Sequence, residues 1–586
     1  MKSLYYLNKF LWKYRKLLII GAIFIVIANL FALYPAEFVR EAFDTVIKSI
    51  NTEEDRSEIR QTLLFYGGLI VLFAILKGVF MYFMRQTIIV MSRKIEYDLK
   101  NEIYQQYQSL SITFYKQNKT GDLMNRISED VSRVRMYLGP ALMYAINIVI
   151  LFFLVISKML SISTILTCYV LLPLPILAVA VYLVSNNINK KSEKVQEQLS
   201  NITTIAQETF SGVTIIKAFS NEGNALNLFF NSCKQYTKRQ LQLVKIEALF
   251  FPLIITMIGV STILTIYIGG LESFKGNIST GNIAEFIIYV NMLAWPVASV
   301  GWVTSLVQRA AASQERINNF LFLESDIQND QDEQTPIVGD ILFKKVSFTY
   351  TDTQIEALNN ISFSINSGEK LGIFGKTGSG KSTIANLILR LYDTTKGSVT
   401  IGNIAVSELN LNNLRISIGY IPQDGYLFSG TIRENIAFSS NNKDQERIIK
   451  SAKQANILEE INSFKDGFDT IIGERGVQLS GGQRQRLAIA RTFYKNPDIY
   501  IFDDCLSAID ANKEKEILAE LKKESKGKTS IIISHRVSTL KDTDKIIVLE
   551  NGRITETGSH NELLENNGFY SQMYQIQSNK DKETDN

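Results

Sequence analysis

The stretch that decides the fold of this chain is Gly375-Lys376-Thr377-Gly378-Ser379-Gly380-Lys381-Ser382-Thr383. It follows the apolar run 370–374 and precedes the helix-like segment 384–390. In such a strand–loop–helix setting, glycines let backbone N–H groups converge on phosphate oxygens, and the helix start adds the positive end of its dipole. We expect Lys381 to reach the β- and γ-phosphates and Ser382 to ligate Mg²⁺. The stretch therefore predicts an α/β P-loop NTPase domain.

Length and composition indicate a second part with a different solvent. The chain has 586 residues, and long apolar runs fill its first half while most acidic residues lie in the second. A net charge of only +4 gives no reason to expect a nucleic-acid partner. Three widely spaced cysteines, Cys168, Cys233 and Cys505, and two histidines do not form a zinc or disulfide framework.

Six apolar segments are long enough to cross a bilayer core of about 30 Å. They are predicted at about 17–39, 61–84, 137–157, 161–184, 249–270 and 283–307. Lys and Arg concentrate before the first span and in the second-to-third and fourth-to-fifth connections, whereas the third-to-fourth and fifth-to-sixth connections carry only Lys158 and Lys275. Because basic connections stay in the cytoplasm, both termini are predicted to be cytoplasmic. We expect a multi-pass integral protein of the cell (inner) membrane, with the lipid bilayer as a partner.

The same patterns divide the chain into a transmembrane domain at 1–320, an acidic linker at 321–340 and a nucleotide-binding domain at 341–586. Two basic connections, 85–136 and 186–248, are long and amphipathic, and they are predicted to be helices that continue past the membrane surface. Glycine interrupts them at 111–123 and 208–222. From the residues alone, these could be plain tips of helical hairpins.

The second half carries further residues that suit a nucleotide site. Tyr350 lies at the end of a predicted strand, where its ring could stack on adenine, although such a tyrosine is more often simply packed. Asp503 and Asp504 end the apolar run 498–502, as carboxylates do at the C-terminal edge of a parallel sheet. Asp503 would complete the Mg²⁺ site.

A second glycine turn, Leu479-Ser480-Gly481-Gly482-Gln483, opens another predicted helix and so forms a second anion site. One nucleotide has no obvious need of two such sites. The pair is explained if two copies of the domain enclose the nucleotide, each lending the other its second glycine turn.

Together these residues resemble the ATP-binding cassette (ABC) exporters in the half-transporter arrangement, over essentially the whole chain. The resemblance rests on the following motifs: Tyr350 at the adenine-stacking position, Walker A from Gly375 to Ser382, Gln423 as the Q-loop, Gly473-Glu-Arg-Gly476, the signature at 479–483, Walker B ending at Asp503, the D-loop 507–510, and His535 as the switch histidine.

The resemblance implies the type I ABC exporter fold, an α-helical membrane domain of six transmembrane helices, together with ATP and Mg²⁺ as cofactors. It implies that ATP is bound by Tyr350, by the loop from Gly375 to Thr383 and by Ser480, Gly481, Gly482 and Gln483 of the signature. The metal would be held by Ser382, Gln423 and Asp503. The segments 111–123 and 208–222 would be coupling helices that touch a nucleotide-binding domain.

One position departs from the family pattern. The resemblance places a catalytic role on Asp504, His535 and Gln423, but the family usually has glutamate where this chain has Asp504. Aspartate is one methylene shorter, and a misplacement of about 1 Å can lose on the order of a hundredfold in rate. Aspartate there resembles the degenerate-site subunit of heterodimeric multidrug-type exporters, whereas the retained His535 keeps a slow homodimer open.

The resemblance implies ATP-driven export or flipping of a small hydrophobic or amphipathic substrate, such as a drug, lipid or peptide, by a dimer with a second half-transporter. The alternative within the same architecture is an ATP-gated channel or regulatory ABC membrane protein. A soluble cassette protein acting on nucleic acid is disfavoured by the six spans.

Overall fold

The structure is a computed structural model that describes residues 2–52, 56–329, 337, 339–440, 443–473, 479–506 and 511–584. The chain forms two compact units. The first consists of Met1–Gln108 and Gly121–Leu323, and the second of Ser109–Thr120 and Glu324–Asn586. The short segment Ser109–Thr120, which contains most of the first predicted hairpin tip, therefore belongs to the unit that contains the P-loop.

The first unit is built from long helices. Among the described residues, six helical segments are long and apolar enough to cross a membrane: Arg15–Ser49, Arg56–Ser109, Thr120–Ile162, Thr164–Ser211, Glu222–Phe274 and Thr280–Leu321. The helices up to Leu321 are α1 Asn8–Lys13, α2 Arg15–Thr52, α3 Arg56–Ser109, α4 Ile112–Gln117, α5 Thr120–Asn125, α6 Val131–Met136, α7 Leu142–Ile162, α8 Thr164–Leu171, α9 Pro173–Ser211, α10 Val213–Ala218, α11 Glu222–Phe274 and α12 Thr280–Leu321. Of these, α4 belongs to the second unit. A 3₁₀ turn, Lys2–Leu7, precedes α1, and two π-helical turns, Arg126–Asp130 and Tyr137–Ala141, flank α6.

The start of the fourth span differs from the sequence prediction. We expected that span from residue 161, but α7 continues to Ile162 and α8 begins at Thr164. The break is at Ser163, whose backbone is extended and whose hydroxyl accepts a hydrogen bond from the N–H of Leu166. A serine N-cap of this kind satisfies a donor that the first helical turn leaves free, so it sets the start of the helix.

In each membrane-spanning helix of the first unit, more than half of the most apolar window is not buried. In the most apolar window of Arg56–Ser109, 0% of the residues are buried, and in that of Thr280–Leu321 the share is 44%. Such exposure would be unfavourable in water but is expected where lipid tails replace water. Inside the unit, the Asn29 side-chain amide donates to Oδ1 of Asn147 at 2.9 Å and so joins α2 to α7. The prediction of six transmembrane helices is confirmed.

The second unit contains twelve strands among its described residues: β1 Ile341–Thr349, β2 Glu356–Ile365, β3 Lys370–Gly375, β4 Lys396–Ile401, β5 Ile404–Ala405, β6 Ile418–Ile421, β7 Gly430–Thr431, β8 Ile471–Ile472, β9 Ile499–Asp503, β10 Thr529–Ser534, β11 Lys545–Glu550 and β12 Arg553–Gly558. Its helices after α4 are α13 Lys381–Ile388, α14 Leu411–Ser417, α15 Ile432–Ile436, α16 Gln445–Gln454, α17 Leu458–Ser463, α18 Gly481–Lys495, α19 Ala511–Glu524, α20 Val537–Leu540, α21 His560–Glu565 and α22 Phe569–Thr584. Two 3₁₀ turns are Val406–Glu408 and Gly467–Asp469.

The central sheet has the strand order β12-β11-β3-β10-β9-β6. Its strands from β11 to β6 are parallel, and only β12 is antiparallel. A second, antiparallel sheet has the order β2-β1-β4-β5, and β7 pairs with β8. The predicted buried strand at 498–502 is β9, in which all five residues are buried. The α/β P-loop domain predicted from the sequence is confirmed.

Candidate nucleotide site

The site lies at one edge of the central sheet because three neighbouring parallel strands end there. In the pairing of β10 with its neighbours, Ser534 lies opposite Phe374, and Ile533 lies opposite Asp503. The P-loop follows β3, Asp504 follows β9, and His535 follows β10. Residues distant in sequence therefore meet at the carboxyl ends of the strands, where open α/β sheets bind ligands.

The P-loop adopts a backbone that only glycine tolerates at its last turn. Gly380 has a φ of +100°, and a Cβ there would overlap the carbonyl oxygen of Ala357. The Lys381 ammonium donates to the carbonyl oxygens of Gly375 and Lys376, both at 2.7 Å. The lysine side chain thus connects the end of the loop to its first two residues.

The electrostatics of the loop suit an anion. Burial lowers the pKa of Lys381, and the carboxylates of Asp504 and Asp503 only partly oppose that shift. The Ser379 hydroxyl is buried, and the described residues offer it no hydrogen-bond partner. An anionic phosphate would favour the charged lysine and could satisfy that hydroxyl. The loop therefore fits the phosphates of ATP.

Asp503 and Ser382, which the sequence predicts as ligands of Mg²⁺, are in contact. The Ser382 hydroxyl donates to Oδ1 of Asp503 at 2.9 Å, and the Tyr420 hydroxyl donates to Oδ2 at 3.2 Å. Asp503 is only 3% exposed, and burial raises its pKa although both hydroxyls oppose the shift. A divalent cation would favour the ionised carboxylate, and Mg²⁺ prefers such oxygen ligands. The pair therefore fits Mg²⁺.

Asp504 contacts the switch histidine. Nδ1 of His535 lies 2.8 Å from Oδ2 and 2.9 Å from Oδ1 of Asp504. Asp504 has a φ of +47°, in the left-handed region that aspartate enters more easily than most residues. Its N–H donates to the carbonyl oxygen of Ile533 at 2.9 Å, which anchors this turn on β10. When Nδ1 carries the proton and donates, the second ring nitrogen of His535 is left as an acceptor.

Tyr350 is fixed beside the P-loop helix. Its hydroxyl lies 3.0 Å from that of Thr383, and its ring packs edge-to-face with Phe348 and Tyr392 at centroid distances of 4.8 and 5.4 Å. The ring is half-buried, so it keeps an exposed part. The Lys116 ammonium lies 4.6 Å from the ring centroid. This geometry is compatible both with packing and with adenine stacking.

The Q-loop leads to the signature helix rather than to the carboxylates. The side chain of Gln423 is exposed, and its backbone carbonyl accepts a hydrogen bond from Nε2 of Gln485 at 3.1 Å. A Cβ on Gly425 would come within 2.8 Å of the carbonyl oxygen of Arg484, so loop and helix are in close backbone contact. The metal role assigned to Gln423 remains a prediction.

The signature begins α18 with a reciprocal cap. Ser480 Oγ accepts from the N–H of Gln483 at 3.2 Å, and Gln483 Oε1 accepts from the N–H of Ser480 at 2.9 Å. Ser480 is exposed, and the helix that it caps has 15 residues. The N-terminus of α18 is therefore ordered and open to a ligand from outside the unit. Residues 474–478 and the D-loop at 507–510 lie outside the described residues.

Three residues of this site were not predicted from the sequence: Tyr420, Tyr392 and Lys116. Tyr420 reaches Asp503 over a separation of 83 residues, and Lys116 reaches the tyrosines from another part of the chain. A strand tyrosine and a basic helix residue have no local feature that marks such contacts. The local signal for Tyr420 is its position between Gly419 and Ile421, in a short apolar segment that forms β6 at the edge of the central sheet.

The fold and the site define a class: a P-loop nucleotide-binding domain joined in one chain to six helices that can cross a membrane. Comparison with known protein families agrees with this class. The family model for the ABC transporter transmembrane region matches residues 18–297, and the family model for the ABC transporter matches residues 358–507.

Individual relatives and a solved structure extend the agreement over most of the chain. A probable multidrug resistance ABC transporter ATP-binding/permease protein, YheI of Bacillus subtilis, is 32% identical over 562 residues, which cover 95% of this chain and 94% of the relative. An ATP-dependent lipid A-core flippase of Syntrophus aciditrophicus is 33% identical over 519 residues, covering 88% and 85%. A bacterial Atm1-family ABC exporter, solved with ATP bound, has the same fold with a TM-score of 0.80 at 24% identity, covering 96% of this chain and 99% of the other.

The chain belongs to the ABC transporter family, as an exporter in which the transmembrane and ATP-binding domains are fused in one half-transporter. It is a multi-pass integral membrane protein with an ATP-binding domain, and its ATPase activity is coupled to transport. The predicted resemblance to ABC exporters is confirmed.

Proposed function

We propose that this chain exports or flips a small hydrophobic or amphipathic substrate, such as a drug, a lipid or a peptide, as one half of a dimer driven by ATP and Mg²⁺. The observation that carries the proposal is the single sheet edge that gathers Lys381, Asp503, Asp504 and His535 in a chain with six apolar helices. ATP hydrolysis supplies the free energy, and Mg²⁺ neutralises phosphate charge.

The residues of the site divide the work at the nucleotide. Lys381 and the loop from Gly375 to Thr383 bind phosphate, and Tyr350 stacks on the base. Ser382, Asp503 and Gln423 hold the metal. Asp504 orients the attacking water. His535 is held by Asp504 and interacts with the charged groups at the edge of the sheet.

A cavity in the first unit supports the proposed substrate class. It has a volume of about 530 Å³, within the range of about 300–1,000 Å³ that suits drug-sized ligands. Its apolar lining residues include Phe152, Leu174 and Val297, and its polar lining residues include Asn186 and Gln308. None of its described lining residues is charged. Such a cavity suits a molecule with a large apolar part and a neutral polar group. By name, the two relatives are a probable multidrug resistance transporter and a lipid A-core flippase.

Two exposed features support a dimer. Ser480 begins α18 at the surface, where it can meet a nucleotide held by the partner's P-loop. The second hairpin tip, around α10, exposes Phe210, Ile215 and Phe219 to 75%, 66% and 79%. Apolar groups this exposed at the end of a cytoplasmic hairpin are expected to be covered by another surface.

We further propose that the partner is a different half-transporter that carries glutamate where this chain has Asp504. The side chain of Asp504 is one methylene shorter than that of glutamate, and both of its carboxylate oxygens already lie within 2.9 Å of Nδ1 of His535. A carboxylate held in this way reaches less far toward the γ-phosphate, so this chain's own Walker site would be slow. Its signature would serve the partner's fast site.

We also propose a membrane location and domain boundaries for the chain. The protein lies in the cell (inner) membrane with both termini in the cytoplasm, and its domains are 1–320 and 341–586, joined by the linker at 321–340. The net basic character of the second-to-third and fourth-to-fifth connections supports this orientation.

ATPase activity in the presence of candidate substrates tests the proposal. The protein is purified in lipid nanodiscs with any half-transporter that accompanies it, and ATP turnover is measured with and without amphipathic compounds. Stimulation by such compounds, lost in Lys381→Ala, is the expected result. Nucleotide-gated ion conductance without substrate-stimulated turnover would instead favour a channel.

A further inference from the structure

The first hairpin tip places a cation on the proposed adenine-stacking tyrosine. Helix α4, Ile112–Gln117, lies in the compact unit that contains the P-loop, and it carries Lys116 near its end. The Lys116 ammonium lies 4.6 Å from the ring centroid of Tyr350 and 5.2 Å from that of Tyr392. The rings of Tyr350 and Tyr392 are nearly perpendicular to each other, at 88°. The same ammonium group is therefore close to both rings. Distances below about 6 Å are those of cation–π contacts.

The surroundings of Tyr350 indicate which part of the ring Lys116 covers. Phe348 and Tyr392 pack edge-to-face with the ring, and both of these side chains are buried in the core. The hydroxyl is held by Thr383 of α13. Lys116 is an exposed residue, so it approaches Tyr350 from the solvent side. A base that stacks on Tyr350 would need the same exposed part of the ring, because Phe348 and Tyr392 pack against the rest of it.

The charge of Lys116 is maintained in this position. Burial acts to lower its pKa, but Tyr392, Tyr350 and Asp352 outweigh burial, and the pKa of Lys116 is raised. The lysine is therefore fully protonated near neutral pH, as a cation–π contact requires.

We propose that Lys116 is a positioning residue of the adenine site, which covers the open face of Tyr350 when no nucleotide is bound and is replaced there by the adenine base. This inference rests on the proposed function, in which Tyr350 stacks on adenine. One ring face cannot hold both groups, so base binding and the Lys116 contact compete.

The competition links the base to the membrane helices through the chain itself. Helix α4 begins three residues after the end of α3 at Ser109, and α3 contains a membrane-spanning segment. Binding of the base frees α4 from Tyr350, and by reciprocity any movement that withdraws Lys116 makes ATP bind more tightly. Binding of phosphates without a base would not produce this effect, because phosphates do not stack on the ring of Tyr350.

The test compares a nucleotide with a ligand that has phosphates and no base. Dissociation constants for Mg²⁺–ATP and for Mg²⁺–tripolyphosphate are measured on the full chain, with its accompanying partner, for the wild type, Lys116→Met and Lys116→Arg. Lys116→Met should bind ATP about two- to fivefold more tightly, since a partly exposed cation–π contact is lost from the competing state. Its affinity for tripolyphosphate should be unchanged. Lys116→Arg keeps the cation and should behave as the wild type.

Two further variants separate charge and stacking from this contact. Lys119→Met removes the same charge from an exposed position three residues away and should change neither affinity. In a Tyr350→Ala background, Lys116→Met should have no effect on ATP affinity. Unchanged or weaker ATP binding by Lys116→Met, or an equal shift for tripolyphosphate, would overturn the inference. If Tyr350→Ala itself leaves ATP affinity unchanged, adenine stacking is wrong, which is a failure of the proposed function and not of the Lys116 contact alone.

Discussion

Nδ1 of His535 lies 2.8 Å from Oδ2 of Asp504, so the residue after one parallel strand holds the residue after its neighbour. The contact follows from the register that places Ile533 opposite Asp503, and from the N–H of Asp504, which donates to Ile533. The side chain of Asp504 is 15% exposed and that of His535 is 47% exposed. The carboxylate of Asp504 thus contacts His535, and under the proposed function its shorter side chain would reach less far toward the phosphates.

Asp504 decides between the two assemblies. If a partner supplies glutamate, Asp504→Asn should change total ATP turnover by less than about twofold, because the site it alters is already slow by about a hundredfold. Asp504→Glu should restore reach and raise turnover. Steady-state ATPase assays on the purified variants measure both effects. Brisk turnover by the chain alone that stops on Asp504→Asn would contradict the heterodimer and establish a homodimer.

Ser480 should matter more than Asp504, because in the proposed heterodimer Ser480 contacts the nucleotide held by the partner. Ser480→Arg places a bulky side chain at the start of α18 and should lower ATP turnover by at least tenfold in the same assay. Loss of the helix cap is controlled by Ser559→Arg, since Ser559 forms the same reciprocal cap with Glu562 on α21. The control should keep near-normal turnover. Equal losses in both variants would show that capping, and not the signature, accounts for the effect.

The P-loop, the β9 carboxylates and the six spans could be predicted because their signals are local. Glycine spacing next to an apolar run identifies a phosphate loop, and about twenty consecutive apolar residues identify a span. The contacts of Tyr420 with Asp503 and of Lys116 with Tyr350 join distant segments, and no local pattern records them. The start of the fourth span was placed too early because hydropathy does not register a helix cap such as Ser163.

Asp503 should destabilise the chain when no metal is bound. Its pKa is raised by burial, so the folded state holds its proton more tightly than the unfolded state. The protonated form of Asp503 therefore contributes stability to the folded chain. This contribution is present below the unfolded pKa of about 4, and it is lost as pH rises through the higher folded pKa.

Two thermal-unfolding experiments at pH 7 test this account of Asp503. Asp503→Asn without nucleotide should unfold at the same or a higher temperature than the wild type. Its amide oxygen can still accept from the Ser382 hydroxyl, and its NH₂ group can donate to the Tyr420 hydroxyl, which can also act as an acceptor. Addition of Mg²⁺–ATP should stabilise the wild type and not the variant. A variant that unfolds earlier without ligand would contradict the electrostatic cost assigned to this carboxylate.

The orientation in the membrane is tested by cysteine labelling of intact cells with an impermeant maleimide. Cys168, Cys233 and Cys505 are first replaced, since all three are free thiols. Lys275→Cys, in the turn between α11 and α12, should be labelled from outside, and Lys217→Cys in α10 should be labelled only after the cells are opened. Labelling of position 217 in intact cells, with none at 275, would reverse the proposed topology.

The central claim is transport driven by ATP at the P-loop, and ATP-dependent movement of a fluorescent amphipathic probe tests it most directly. Wild-type protein and Lys381→Ala, each with its accompanying partner, are reconstituted in liposomes with a fluorescently labelled phospholipid or a neutral amphipathic dye. The Lys381 ammonium lies at the P-loop, where it makes two 2.7 Å hydrogen bonds to backbone carbonyls. Replacing Lys381 by alanine removes the positive charge that is expected to bind phosphate. The account predicts movement of the probe away from the leaflet or compartment on the nucleotide side, only with Mg²⁺–ATP and only in the wild type. Equal ATP-dependent movement by Lys381→Ala, at equal protein content, would contradict it.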